Sequence, residues 1–138
     1  MRLQTFSTYF AFFILLFTGA VAQADDVISK NVDIHVFSDL LAEHADDENS
    51  QIIDVRTLPE FHAGHIADAH LIDFYGKDFV QKLKQLDKDK TYLLYCRSGN
   101  RSGKTLKVMK KLGFKSAYNM QGGMKAWTRA NYPVVAPK

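Results

Sequence analysis

The sequence predicts an α/β fold, with a small central parallel sheet flanked by helices on both faces. Short apolar runs of strand length alternate along the chain with segments whose apolar residues recur at helical spacing. Strands that return to one sheet through intervening helices run parallel and are covered on both sides. The chain also lacks repeats, low-complexity runs and any internal linker, so one domain is expected over residues 25–138.

The first segment lies outside that domain. Arg2 and the amino terminus give a weakly positive start, and Phe10 to Phe17 is an unbroken apolar run. Ala22-Gln23-Ala24 then supplies the small residues of a cleavage site, so residues 1–24 read as a signal peptide and Asp25 as the mature start. An uncleaved anchor is the alternative, since about 20 apolar residues span a bilayer. Gln4, Thr5, Ser7, Thr8 and Gln23 interrupt the stretch and favour removal. The expected product is periplasmic or secreted, with no membrane attachment after cleavage.

The elements follow in order. Val32, Ile34 and Val36 alternate with polar residues, as in an edge strand, and Ser38 then caps a helix reaching about Ala45. Gln51 to Val55 and Ala69 to Ile72 are compact strands. Phe79, Val80, Leu83 and Leu86 place a helix over Gly76 to Leu86, and the polar run 87–90 is a turn. Thr91 to Tyr95 is a buried strand. Arg101 to Leu112 is a helix with Leu106, Met109 and Leu112 facing inward, closed by Gly113. A last strand spans Ser116 to Asn119, and a last helix spans Gly123 to Ala130.

Charge excludes one class of partner. After residue 24 the chain keeps 15 Asp+Glu and all but one of its 18 Lys+Arg, a mild and dispersed excess that gives no nucleic-acid surface. Cysteine usage is more informative. An exported chain ordinarily holds its cysteines in pairs. This one has a single cysteine, Cys96, so a reactive or intermolecular thiol is expected.

Cys96-Arg97-Ser98-Gly99-Asn100-Arg101 follows a buried strand and leads into a helix, where α/β sheets collect ligands. Such a loop can turn successive N–H groups inward as an anion nest, and the helix start and two arginines add positive potential. All of these favour a thiolate, lowering the Cys96 pKa from the roughly 8.5 of a free thiol. A buried, inert cysteine would explain the apolar run before Cys96 but not the polar, charged segment after it.

The loop Cys96 to Ser102 (CRSGNRS) resembles the active-site loop of rhodanese domains. Asp54-Val55-Arg56, then Glu60-Phe61 and Gly64-His65-Ile66, is similar to that family's DVR…EF…GHI signature. Gln121-Gly122-Gly123-Met124 with Trp127 resembles its C-terminal GG…W element. The three stand in the family's order and cover about Val32 to Pro133. One departure is Ala67-Asp68-Ala69, where the family usually has Pro-Gly-Ala, which touches a turn.

The resemblance implies a rhodanese-like α/β fold and a two-step sulfur transfer through a Cys96 persulfide. A small anionic donor such as thiosulfate supplies sulfur, and cyanide or a thiol accepts it. Arg97, Ser98, Gly99, Asn100, Arg101 and Ser102 would bind the sulfur anion, and no cofactor is implied. An ionised nucleophile needs no general base, and none is adjacent. Two rival readings are a cysteine-dependent phosphatase or arsenate reductase, and a non-catalytic rhodanese-like binding module. The phosphatase type has five residues between cysteine and arginine and commonly a histidine before the cysteine. Here four residues separate Cys96 from Arg101, and Tyr95 precedes the cysteine.

Other residues take structural readings first. Asp54 and Arg56 are expected as an ion pair or loop brace with a minor chance of lining the pocket, and His65 as a loop anchor bonded to backbone. His62, His65 and His70 are irregularly spaced without a second cysteine or paired carboxylate, so no metal site is expected. Arg101 either clamps the anion or starts the helix and pairs with Asp54 or Glu60. Lys104, Lys107, Lys110 and Lys111 form a solvated face, and Trp127 is packed.

Overall fold

The computed structural model describes residues 27–136, and the expected signal segment, residues 1–24, lies outside them. Five strands and five helices are described: β1 (Ile28–Val32), α1 (Ile34–Glu43), β2 (Ser50–Asp54), α2 (Leu58–His62), β3 (His70–Leu71), α3 (Phe79–Lys84), β4 (Thr91–Tyr95), α4 (Asn100–Lys111), β5 (Ser116–Met120) and α5 (Gly123–Arg129). The strands form one sheet in the order β1-β5-β4-β2-β3, with every pairing parallel.

Alternation along β4 builds a core on each face of the sheet. Tyr92 and Leu94 pack with Phe79 and Leu83 of α3 and with Leu106 and Met109 of α4. Leu93 and Tyr95, pointing the other way, pack with Phe37 of α1 and with Met124 and Trp127 of α5. Fully burying an apolar side chain of this size contributes about 1.5–3 kcal/mol, so β4 is the strand both layers depend on. Trp127 is buried, stacks on Tyr132 at 4.3 Å and donates its indole N–H to the Pro133 carbonyl at 2.9 Å. Lys104, Lys107, Lys110 and Lys111 are exposed.

The start of the chain differs from expectation. The edge strand is Ile28–Val32, paired with β5, and Ile34 and Val36 belong to α1. Asp33, not Ser38, is the N-cap, accepting from the N–H groups of His35 and Val36 at 2.8 and 3.0 Å. The Val32-Ile34-Val36 alternation has period 2, but Phe37 is the buried residue and Val36 is 43 % exposed. A strong carboxylate cap and the spacing of Ile34, Phe37 and Leu41 set the helix here. Helix α2 has no expected counterpart, although Thr57-x-x-Glu60 with Pro59 in the first turn is a capping box. The Ala67-Asp68-Ala69 turn places Asp68 at φ 60°, a left-handed conformation that glycine adopts freely and aspartate tolerates.

Candidate active site

Strand β4 ends at Tyr95 in the middle of the sheet, and the chain then turns through Cys96–Gly99 into α4. Cys96 is therefore delivered to the carboxyl end of a central parallel strand, with its side chain 1 % exposed. Gly99 stands at φ 89°, and a Cβ there would lie 3.1 Å from both the Gly122 nitrogen and the Met120 carbonyl oxygen. Only glycine satisfies both the turn and that approach. The conformation aims the Gly99 N–H at Cys96 Sγ (3.1 Å), and the buried Ser102 hydroxyl donates to the same sulfur from the first turn of α4 (3.3 Å).

Two opposing effects act on this thiol. Burial pushes its pKa up. The Ser102 hydroxyl and the N–H groups of Ser102, Ser98 and Gly99 pull it down, and the net position is below the ordinary value. Among the described residues the sulfur's hydrogen-bond partners are backbone N–H groups and one hydroxyl, none of them a general base.

What turns the N–H groups inward is visible on the outer side of the loop. The Met124 N–H donates to the Cys96 carbonyl (2.9 Å), and the Lys125 N–H donates to the Arg97 carbonyl (3.0 Å). With both carbonyls drawn toward α5, the loop's amides face the sulfur. Gly123 makes this contact possible. At φ 54° it packs directly on the loop, and a Cβ would overlap the Cys96 carbonyl oxygen and lie 2.6 Å from the Arg97 carbonyl carbon. Sequence reasoning placed Gly122-Gly123 in a motif but missed this role; the glycine doublet one residue beyond the end of β5 was the available signal.

The arginines divide into different tasks. Arg101 is held by Glu60 of α2 through Nη1–Oε2 (2.8 Å) and Nη2–Oε1 (2.7 Å), and its guanidinium lies 5.6 Å from the Tyr75 ring centroid. Of the pairings open to Arg101, the one with Glu60 is present. Arg101 draws the Glu60 carboxyl down to about 2, and Glu60 first, then the Cys96 thiolate, stabilise the charged guanidinium. Arg97 is exposed. It lines a cleft of about 240 Å³ together with Arg56, Glu60, Gly64 and Lys125. Ser98 contributes its N–H, and Asn100 is an exposed residue opening α4.

Asp54 and Arg56 form a buried, two-point ion pair: Arg56 Nη2 lies 2.7 Å from Asp54 Oδ2, and Nε lies 3.0 Å from each carboxylate oxygen. The same Nη2 donates to the Gly64 carbonyl (2.7 Å), tying the end of β2 to the turn before β3. His65 stacks on Phe61 at 3.7 Å, and its Nδ1 is 3.0 Å from the Phe61 carbonyl. Neither group reaches the sulfur through a direct bond. Among the described residues, no group of three or more His, Cys, Asp or Glu is spaced to hold a metal ion. A cavity of about 490 Å³ lies between α1 and α5 beside Leu41, Ile52, Leu93, Trp127 and Tyr132, and no residue of the Cys96–Ser102 loop lines it.

Fold and site together define an α/β protein with a buried cysteine sulfur cradled at the end of a central strand. The profile of the rhodanese-like domain family matches residues 38–130, and the chain belongs to that family. It is similar to a sulfurtransferase of Allochromatium vinosum, 34% identical over 99 residues that cover 68% of this chain and 86% of the relative. It is also similar to the thiosulfate sulfurtransferase GlpE of Vibrio cholerae, 28% identical over 64% of this chain and 82% of that one. Among solved structures, a rhodanese-related protein from Thermoplasma volcanium matches with a TM-score of 0.64 and 29% identity, covering 78% of this chain and 99% of that one. Relatives that share this domain carry sulfurtransferase names, which places the chain in a sulfurtransferase family.

Proposed function

We propose that the chain is a thiosulfate sulfurtransferase working through a persulfide on Cys96. The observation that carries this reading is the convergence of the Gly99 N–H and the Ser102 hydroxyl on a buried sulfur with a lowered pKa. In the first half-reaction the Cys96 thiolate attacks the outer sulfur of thiosulfate. The bond between the two donor sulfurs breaks and its electron pair leaves with sulfite, giving a Cys96 persulfide anion. In the second, cyanide or a thiolate attacks the terminal persulfide sulfur. Thiocyanate or a new persulfide leaves, and the Cys96 thiolate returns. Neither step moves a proton, in keeping with a site that has no base.

Loop N–H groups from Arg97 to Arg101 and the Ser102 hydroxyl stabilise the sulfur anion in the manner of an oxyanion hole. Arg97 and Asn100 meet the incoming donor at the rim, and Arg101 contributes its charge from its place against Glu60. Asp54, Arg56 and His65 brace the surrounding loops. The Arg101–Glu60 pair also weighs against the phosphatase reading, because a guanidinium committed at both nitrogens to a carboxylate is not free to clamp a tetrahedral oxyanion.

The full chain is read as a signal peptide, residues 1–24, followed by one domain exported to the periplasm or secreted. Among the described residues no helix is long and apolar enough to cross a membrane. Cys96→Ser tests the chemistry: the variant folds and has no thiosulfate:cyanide activity, because serine is nearly isosteric but un-ionised at neutral pH. Turnover by the pure serine variant would overturn the persulfide route. N-terminal sequencing of the exported protein should begin at Asp25, and recovery in the membrane fraction with the apolar segment intact would contradict export as a free domain.

A further inference from the structure

Gly99 has two faces in this site, and only one of them touches the sulfur. Its N–H donates to Cys96 Sγ, while its carbonyl points back toward the sheet. There it accepts the Gly103 N–H at 3.0 Å and the side-chain amide of Asn119 at 3.3 Å. Asn119 is a polar residue on β5 that is 3 % exposed. Its Nδ2 also donates to Asn31 Oδ1 of β1 at 2.8 Å. With one amide hydrogen on each acceptor, the donor end of the amide is fixed toward the loop.

The cost of this arrangement is visible. Asn119 Oδ1 is buried and has no hydrogen-bond partner among the described residues. An apolar side chain would avoid that burden, and an unsatisfied buried acceptor in a native fold calls for a specific reason. The helix also makes room for the amide: Gly103 has no side chain, and a Cβ there would stand 3.2 Å from Asn119 Nδ2. The fold thus tolerates an orphan oxygen while keeping a donor on the Gly99 carbonyl.

We propose that Asn119 is a positioning residue for sulfur transfer, holding the Gly99 carbonyl from the sheet side so that the Gly99 N–H stays aimed at Cys96. The proposal rests on Cys96 being the nucleophile, and it reaches the sulfur only through the Gly99 peptide. Asn31 anchors the far side of the amide and makes no contact of its own with the loop carbonyl. Removing Asn119 therefore takes the donor away from the Gly99 carbonyl, whereas removing the Asn31 side chain leaves that donor in place and frees only its far anchor.

The experiment is the pH dependence of Cys96 alkylation by iodoacetamide, which needs no donor or acceptor and so stands apart from the transfer reaction itself. Full loss of a charge-assisted bond to the thiolate raises a midpoint by about one to two pH units. Loosening of one donor in Asn119→Ala should raise it by about half to one unit and slow alkylation at neutral pH by about three- to tenfold. Asn31→Ala, which leaves the Asn119 donor beside the Gly99 carbonyl, should raise the midpoint by less than Asn119→Ala while lowering thermal stability to a similar extent. An unshifted midpoint in folded Asn119→Ala, or equal shifts in both variants, overturns the proposal.

If Asn119→Ala does not fold, the wild-type protein gives the same test by NMR. The Asn119 side-chain amide protons and the Gly99 amide proton should then titrate together at the Cys96 midpoint, and Asn119 protons that ignore that midpoint overturn it. Normal Cys96 titration with no sulfur transfer would instead remove the sulfurtransferase reading and leave the positioning role standing.

Discussion

Glu60 receives the guanidinium of Arg101 at two points, 2.7 and 2.8 Å, across a sequence separation of 41 residues. Glu60 is itself fixed by Thr57, whose N–H and hydroxyl donate to its Oε2 at 3.0 and 2.9 Å. One carboxylate thereby closes the capping box of α2 and pins the start of α4, so the loop that carries Cys96 is braced from α2 as well as from α5.

Glu60→Gln should lower stability by about 1 kcal/mol at neutral pH, as expected for a partly exposed pair with good geometry. The pH course follows from the carboxyl being held near 2 against an ordinary 4.5. A depressed folded pKa stabilises the protein fully above the unfolded value and is lost as pH falls through the folded one. Denaturant titrations should therefore show a constant gap between wild type and variant above about pH 4.5, closing toward pH 2. A gap independent of pH would mean that charge is not what the pair contributes.

Arg101→Ala tests the same contact from the other end and separates bracing from anion binding. Loss of a cation that also feels the thiolate should reduce kcat/KM for thiosulfate by about tenfold, with a thermal destabilisation similar to that of Glu60→Gln. A large stability loss with unchanged kinetics in the folded fraction would make Arg101 a brace alone.

Ser102→Ala removes the hydroxyl donor to Cys96 Sγ without opening the loop, since Ser102 is fully buried and contributes little volume. The thiol midpoint should rise by about half to one pH unit, read as the pH dependence of alkylation. An unchanged midpoint would show that backbone N–H groups alone hold the thiolate.

Gly123→Ala is the most disruptive small change available near the site. Its methyl group would enter the space of the Cys96 and Arg97 carbonyls, at a backbone conformation that side chains rarely adopt. Activity should fall by at least about a hundredfold, and stability by about 2–4 kcal/mol, from strain and from loss of the two α5 bonds to the loop. Wild-type kinetics in this variant would contradict the place given to α5 as the loop's outer support.

Much of this architecture was legible in the sequence. The run Thr91 to Tyr95 marked the central strand because it is apolar on both sides, and CRSGNRS marked the loop because polar residues follow it abruptly. Period-2 reading failed at Ile34 and Val36, where Asp33 starts a helix and tertiary burial of Phe37 decides the face. Asp54 and Arg56 were readable as a pair because a single residue separates them, whereas their hold on Gly64 depends on how β2 and the following turn meet. The α5 bonds to Cys96 and Arg97, like the Asn119 contact with Gly99, join residues 20 or more positions apart through backbone carbonyls, which leave no compositional trace.

Intact-mass spectrometry before and after exposure to thiosulfate tests the persulfide most directly. The wild-type protein should gain the mass of one sulfur atom, mapped to Cys96 by peptide analysis and removed on addition of cyanide, while Cys96→Ser gains nothing. An unmodified Cys96 after thiosulfate, together with efficient hydrolysis of an aryl phosphate, would contradict sulfur transfer and make Cys96 a phosphatase nucleophile.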